Sequence, residues 1–181
     1  MTIGLKDVFL VEAKEQKRAF KAPEKVTVPK SGLTIFLAGS IEMGKAEDWQ
    51  TKVTKLLTEK FSNIYIVNPR RDDWDSSWEQ KIENPQFNEQ VTWELSNIEN
   101  SDIVMYYFDK ETQSPITLAE LGLAAGKFPE KAIVICPEGF FRKGNVDIIC
   151  DRYNIDQVDK IEELPDTLKK KFSRLKETKH A

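Results

Sequence analysis

Four short apolar runs separated by longer amphipathic stretches set the rhythm of this chain. L-T-I-F-L-A (33–38), I-Y-I-V (64–67), D-I-V-M-Y-Y-F (102–108) and K-A-I-V-I-C (131–136) are continuous rather than alternating, the pattern of strands buried on both faces of a sheet. Between the first two, Trp49, Val53, Leu56, Leu57 and Phe61 recur at helical spacing and predict a helix over 46–59. Phe87, Val91, Glu94 and Ile98 share one helical stripe and predict a second over 85–100. A third, S-P-I-T-L-A-E-L-G-L-A-A-G-K (114–127), has Ser114 as a favoured N-cap, Pro115 at the first helical position and Gly126 where a helix would stop. A short helix over 145–153 and an amphipathic tail helix over 165–176 complete the pattern. D-V-F-L-V-E-A (7–13) reads as a strand, followed by a Lys-rich, Pro-containing passage to Gly32. Residues 1–32 are therefore expected to form an N-terminal extension outside the core, and 33–181 a single domain. Strand and helix alternating in this way predict a doubly wound α/β fold with a parallel sheet and right-handed crossovers.

Two carboxylates interrupt the apolar surfaces. From Ile116 to Ala125 only Thr117 and Glu120 are polar, and a helix that is apolar all round is expected to pack inside the protein. Glu120 is then buried or lines a cleft; it is either paired structurally or kept for its chemistry, because an ionised carboxylate costs several kcal/mol to bury alone. Glu94 shares the apolar stripe of its own helix and is expected to look inwards too.

Ligand sites of doubly wound sheets lie beyond the C-terminal ends of the strands. Those ends are G-S-I-E-M-G-K, N-P-R-R-D-D-W-D, F-D-K-E-T-Q-S and P-E-G-F-F-R-K-G-N. Their convergence would place Ser40, Asn68, Arg70, Trp74 and Ser114 in one crevice, with Glu120 entering from the second turn of its helix.

Composition narrows the chemistry. A length of 181 residues with 40% hydrophobic and 31% charged positions suits one soluble domain. A net charge of -3 gives no general attraction to nucleic acid, and the basic run near the C-terminus reads as a solvated helix face. Cys136 and Cys150 are the only cysteines, expected as free thiols, and His180 is the only histidine. Metal clusters and His-based catalysis are therefore not expected, no cofactor is implied, and the chemistry falls to carboxylates, hydroxyls, Lys or Arg. The sequence shows no signal peptide and no membrane-length apolar run, so a cytoplasmic protein without a membrane partner is the default expectation.

One motif points elsewhere. Gly39 to Lys45 has the GxxxxGK spacing of a phosphate-binding P-loop after a buried strand, which would suit a nucleotide phosphotransferase. Against it, Ala46 stands where a hydroxyl must meet Mg²⁺, and Glu42 puts a negative charge in the cradle. A nucleotide-binding module without turnover is the third reading.

F-L-A-G-S-I after the first strand, N-P-R-R after the second, W-E-L-S-N-I-E-N-S-D-I before the third, and the Ser114–Lys127 segment together resemble the nucleoside 2-deoxyribosyltransferase family, including its deoxynucleoside 5′-monophosphate N-hydrolase branch. The resemblance spans about residues 33–153. It implies a flavodoxin-like sheet, cleavage of an N-glycosidic bond, a nucleoside or nucleotide as small-molecule partner, and a homo-oligomer. It puts the nucleophile on Glu120 and the carboxylate near the leaving base on Glu94, where an Asp is usual. Transferases tend to carry Asp at the position of Ser114 and the nucleotide hydrolases Ser, so Ser114 with the Gly39-Ser40-Ile41 loop implies a 5′-phosphate subsite. The Tyr that usually supports the nucleophile from the first strand is replaced by Phe36 or Ile35. Asn68, Arg70, Asp73 and Trp74 belong to the substrate-side loop. Arg70 would meet phosphate or pair with Asp72 or Asp73, and Trp74 or Phe140 would stack on the base or anchor packing. Asn145 would cap a helix or contact substrate, across a subunit interface as in the family.

Overall fold

A computed structural model describes residues 17–41 and 48–178. Six strands, β1 (Ala19–Lys21), β2 (Leu33–Gly39), β3 (Ile64–Asn68), β4 (Ile103–Tyr107), β5 (Ala132–Ile135) and β6 (Asp156–Val158), form one sheet in the order β1-β3-β2-β4-β5-β6. Every pairing is parallel. Around it lie α1 (Trp49–Lys60), α2 (Pro85–Asn100), α3 (Pro115–Lys127), α4 (Lys143–Tyr153) and α5 (Leu164–Thr178).

The continuous apolar runs become strands because both faces of the sheet are covered, and their period of two divides the core. Ile35, Leu37, Ile64, Ile66, Ile103 and Met105 point to one side, where they meet Trp49, Val53 and Leu57 of α1 and Leu164 and Leu168 of α5. Phe36, Ala38, Val67, Val104 and Tyr106 point to the other, against Ile98 of α2, Leu121, Ala124 and Ala125 of α3, and Val146 and Cys150 of α4. This is a three-layer, flavodoxin-like α/β architecture.

Three features depart from the sequence expectation. The presumed extension supplies β1, whose Phe20 is buried and whose residues register with Ile66, Val67 and Asn68 of β3; residues 7–13 lie outside the described residues. The strand β6 was not expected, because D-Q-V is short and polar and stays half-buried at the far edge. The α3 helix runs through Gly126 to Lys127, and it is not enclosed all round, since Ile116 is 67% exposed and Ala119 and Gly122 face outwards with it. Uniform apolarity marks a surface to be covered, and only one face of α3 is covered by this chain's own core.

The position of the site follows from the strand order. After β2 the chain turns through α1 to β3 on one side; after β4 it turns through α3 to β5 on the other. Adjacent strands with diverging exits leave a crevice at their C-terminal ends. The crevice floor is tightly fitted. Trp49 is fully buried, its ring stacks on Tyr107 at 4.8 Å, and its Nε1 donates to the Ser40 carbonyl at 2.8 Å. A Cβ on Gly39 would come within 2.6 Å of both the Trp49 ring and the Tyr107 carbonyl, so β2 must end in glycine.

Candidate active site

At the crevice, three hydroxyls meet. Ser40, Thr112 and Ser114 are all buried. The Asp109 backbone N–H donates to Ser40 Oγ at 3.0 Å, Thr112 Oγ1 lies 2.8 Å from both Ser40 Oγ and Ser114 Oγ, and Ser40 Oγ closes the triangle on Ser114. Ser114 occupies the N-cap position of α3 without a capping bond from its side chain, and it holds the left-handed conformation, φ 48° and ψ 49°. That region is disfavoured for a residue with a Cβ, and here it turns the hydroxyl towards β2 rather than onto its own helix. The following Pro115 has no N–H, so the free amides of the first helical turn begin at Ile116.

The two carboxylates stand on the same side of the sheet. Glu120 lies in the second turn of α3 and Glu94 in the third turn of α2, both half-buried. Burial pushes the Glu120 carboxyl up to about 8, and the Glu94 charge adds to the rise. Glu94 is itself raised by burial, with a hydrogen bond from Gln90 working in the opposite direction. A carboxyl raised to about 8 keeps its proton near neutral pH, and a second half-buried carboxyl on the neighbouring helix gives the site the two groups that an acid and a nucleophile require.

Two neighbours were not foreseen. Gln90, one turn before Glu94, is buried; its Nε2 donates to Glu94 Oε1 at 2.9 Å and to the Pro69 carbonyl at 2.8 Å. The i, i+4 spacing from Glu94 was the available signal. Tyr106 is fully buried on β4, and its phenol donates to the Glu120 main-chain carbonyl at 3.3 Å. Burial and the Glu120 charge both push the phenol pKa upwards, so it stays protonated. Its hydroxyl reaches the helix backbone at Glu120 and not the carboxylate. Tyr106 registers opposite Ala38, whose small side chain leaves the ring room.

The remaining expected residues divide. Asn68 is buried and builds the turn after β3, its Oδ1 accepting from the Arg70 N–H at 2.9 Å. Arg70 pairs with neither Asp72 nor Asp73 but with Asp48 at the start of α1, at 3.3 Å. Asp72 is taken by Lys21, and Asp73 by Arg71, which also holds Glu89 and lies under the Trp78 ring. The Arg71 clasp fastens the 69–84 loop to α2. Trp74 stands 41% exposed and packs against Trp78 in a T-shaped arrangement. Phe140 is a core residue whose ring lies tilted against Phe108 at 4.8 Å, and its burial removes it as a base-stacking candidate. Asn145 is exposed in the first turn of α4, whose N-cap is Arg142, so it is not a helix cap. Ile41 borders the crevice half-buried, while Glu42, Gly44, Lys45 and Ala46 of the P-loop-like stretch lie outside the described residues.

Two hollows lie away from the carboxylates. One of about 520 Å³ is lined by Asp147, Asp151, Asp156 and Arg174, and one of about 360 Å³ by Glu24, Trp93 and Asn97. Neither is lined by Ser40, Thr112, Ser114, Glu94 or Glu120. Among the described residues no group of three His, Cys, Asp or Glu is placed to hold a metal, and no helix is long and apolar enough to cross a membrane.

Comparison with known proteins adds a family to this geometry. Residues 32–140 match the family model described as nucleoside 2-deoxyribosyltransferase like. The match takes in more than half of the chain, both carboxylates and the hydroxyl cluster, and the protein belongs to that family. Among solved structures, a conserved protein from Enterococcus faecalis V583 is similar, with a TM-score of 0.57 over 77% of this chain and 98% of that one at 13% identity. That likeness bears on the fold alone. No curated protein matches the chain.

Proposed function

We propose that the protein cleaves the N-glycosidic bond of a deoxynucleoside or its 5′-monophosphate, passing the deoxyribosyl group to a second base or to water. The observation that carries this reading is the pair of half-buried carboxyls, Glu94 and Glu120, each raised by burial and Glu120 raised further by the Glu94 charge, beside a crevice at the switch point of the sheet. Glycosidic cleavage passes through an oxocarbenium-like sugar. A carboxylate at C1′ can capture it as an ester while a second carboxyl protonates the departing base. Glu120 is the nucleophile in this scheme and Glu94 the acid.

The sugar's 5′ end would face the hydroxyl cluster and the N-terminus of α3. The amides of Ile116 and Thr117, the helix dipole and the Ser114 hydroxyl suit a phosphate. Ser40 already serves Asp109 and Thr112, so it acts through Ser114 rather than as an independent donor. Trp74 is the candidate to cover the base, held near by the Arg71 clasp.

Incubating the protein with a panel of nucleosides and 5′-monophosphates, in EDTA and without ATP, tests the reading. Base release under these conditions is expected, because two carboxyls need no metal. A requirement for Mg²⁺ and ATP, lost in Lys45→Ala, would favour phosphotransfer; binding without any product would leave a nucleotide-binding module.

We further infer a homo-oligomer. Ile116 on α3 and Ile148 on the neighbouring α4 are 67% and 68% exposed, an apolar surface that a second copy would cover. Sedimentation equilibrium should show an assembly that Ile116→Asp dissociates; a monomeric wild-type protein at micromolar concentration would remove this inference.

A further inference from the structure

Gln90 stands between a main-chain carbonyl and one of the two carboxyls, and its amide has no freedom to turn. The Pro69 carbonyl can only accept, and it lies 2.8 Å from Nε2; Glu94 Oε1 lies 2.9 Å from the same nitrogen. A flipped amide would set Oε1 against the Pro69 oxygen. Both amide hydrogens are therefore committed, while Gln90 Oε1 is left buried without a partner. Glu120 has no equivalent: among the described residues, nothing donates a hydrogen bond to its carboxylate, and Tyr106 reaches only its main-chain carbonyl. The pair is asymmetric.

We propose that Gln90 sets the order in which Glu94 and Glu120 ionise, holding Glu94 ionised and leaving a proton on Glu120 in the ligand-free protein. Two like charges at a half-buried site resist ionising together, and the first to ionise is the one whose charged form already accepts a hydrogen bond. The titratable and charged groups around the pair do not reverse this. Tyr106 on β4 stays neutral, and the Arg71 charge near the start of α2 is met by both Asp73 and Glu89.

The proton is then on the wrong partner for the reaction proposed above, on which this consequence rests. Glu120 must lose it to attack C1′, and Glu94 must carry it to protonate the base. In the productive arrangement the proton has moved from Glu120 to Glu94 Oε2, the oxygen not held by Gln90, and the pair keeps its charge of minus one. As the C1′–N bond breaks, its electrons go to the base nitrogen, which takes the Glu94 proton, and the Glu120 oxygen bonds to C1′. The pH profile of kcat/KM is bell-shaped, with its acid limb belonging to Glu94 and its alkaline limb to Glu120, the reverse of their catalytic roles. Kinetics alone cannot assign the limbs, because the two apparent constants belong to the pair.

Carbon-13 NMR of the glutamate carboxyls, assigned with Glu94→Gln and Glu120→Gln, can. At pH 7 the wild-type protein is expected to show Glu94 ionised and Glu120 protonated. Gln90→Met removes the donor together with the orphaned oxygen. The Glu94 midpoint should then rise by about one unit, the usual scale for losing such a bond. The Glu120 midpoint should fall, since its neighbour is less often charged, and the acid limb of kcat/KM should move up with Glu94. Wild-type protein with Glu120 ionised and Glu94 protonated at pH 7 would overturn the proposal, as would Gln90→Met leaving both titrations in place. The wild-type titration decides the proton's position even where Gln90→Met and Gln90→Leu fail to fold. Normal turnover in Glu120→Gln would defeat the glycosidic reading while leaving the proton placement standing.

Discussion

Glu120→Gln is expected to abolish turnover while making the fold more stable above neutral pH. A covalent catalyst stripped of its nucleophile should lose about 10³-fold or more in kcat, since water can take over only inefficiently. The stability effect has the opposite sign and a defined window. The Glu120 carboxyl is raised from 4.5 to about 8 in the folded chain, so between those values the folded state keeps a proton that the unfolded state has released. Stability of the wild-type protein therefore declines as pH rises through that window. Glutamine, having no proton to lose, escapes the decline. Melting temperatures at pH 5, 7 and 9 should diverge progressively in favour of Glu120→Gln, while base release disappears at all three. Near-normal turnover in the variant would make Glu120 a structural residue. An unchanged difference in melting temperature between pH 5 and pH 9 would mean that it is not held in the protonated state by the fold.

Both carboxyls were visible in the sequence. Glu120 stood out because a single charge in an apolar helical run has few structural excuses, and Glu94 because it shares a stripe with Phe87, Val91 and Ile98. The strands were legible for a related reason: a parallel sheet covered on both faces needs uninterrupted apolar runs, and these are hard to mistake. What escaped depends on distances across the chain. Tyr106 sits in a run, V-M-Y-Y-F, where either tyrosine could face the site, and only the β2–β4 register sets Tyr106 opposite Ala38 and beneath α3. Thr112 joins Ser40 across 72 residues, a contact that no local pattern encodes. The loop after β3 misled in a different way. It holds Arg70, Arg71, Asp72 and Asp73 in succession, and sequence proximity suggested pairing within it. The fold instead sends Arg70 to Asp48 and Asp72 to Lys21 on either side of the β3 exit. Strand β1 was missed because A-F-K is too short to announce itself; the free edge of β3 makes it a strand.

Ser114→Asp is expected to separate monophosphates from nucleosides. The Asp109 N–H and the Thr112 hydroxyl both donate to Ser40 Oγ, and Ser40 Oγ and Ser114 Oγ share a hydrogen bond in which either can be the donor, with the Tyr107 carbonyl a second acceptor for Ser40. Aspartate at this position keeps Ser40 and Thr112 satisfied, since its oxygens accept from both. It also tolerates the left-handed backbone at φ 48°, because Asp visits that region more readily than most residues with a Cβ. The variant should therefore fold, and its effect should be electrostatic. A full charge a few ångströms from a phosphate at a partly desolvated site costs about 3 kcal/mol, so kcat/KM for a 5′-monophosphate should fall by about 150-fold. The same base presented as a nucleoside should change only a few-fold. Ser114→Gly removes the hydroxyl without adding charge and relieves the backbone strain; its loss on the monophosphate should be several-fold, well short of that caused by Asp. Equal losses for Gly and Asp would mean that the hydroxyl matters and the charge does not. A wild-type preference for the nucleoside, unaltered by Ser114→Asp, would remove the phosphate from the crevice and leave the free 5′-hydroxyl of a nucleoside in its place.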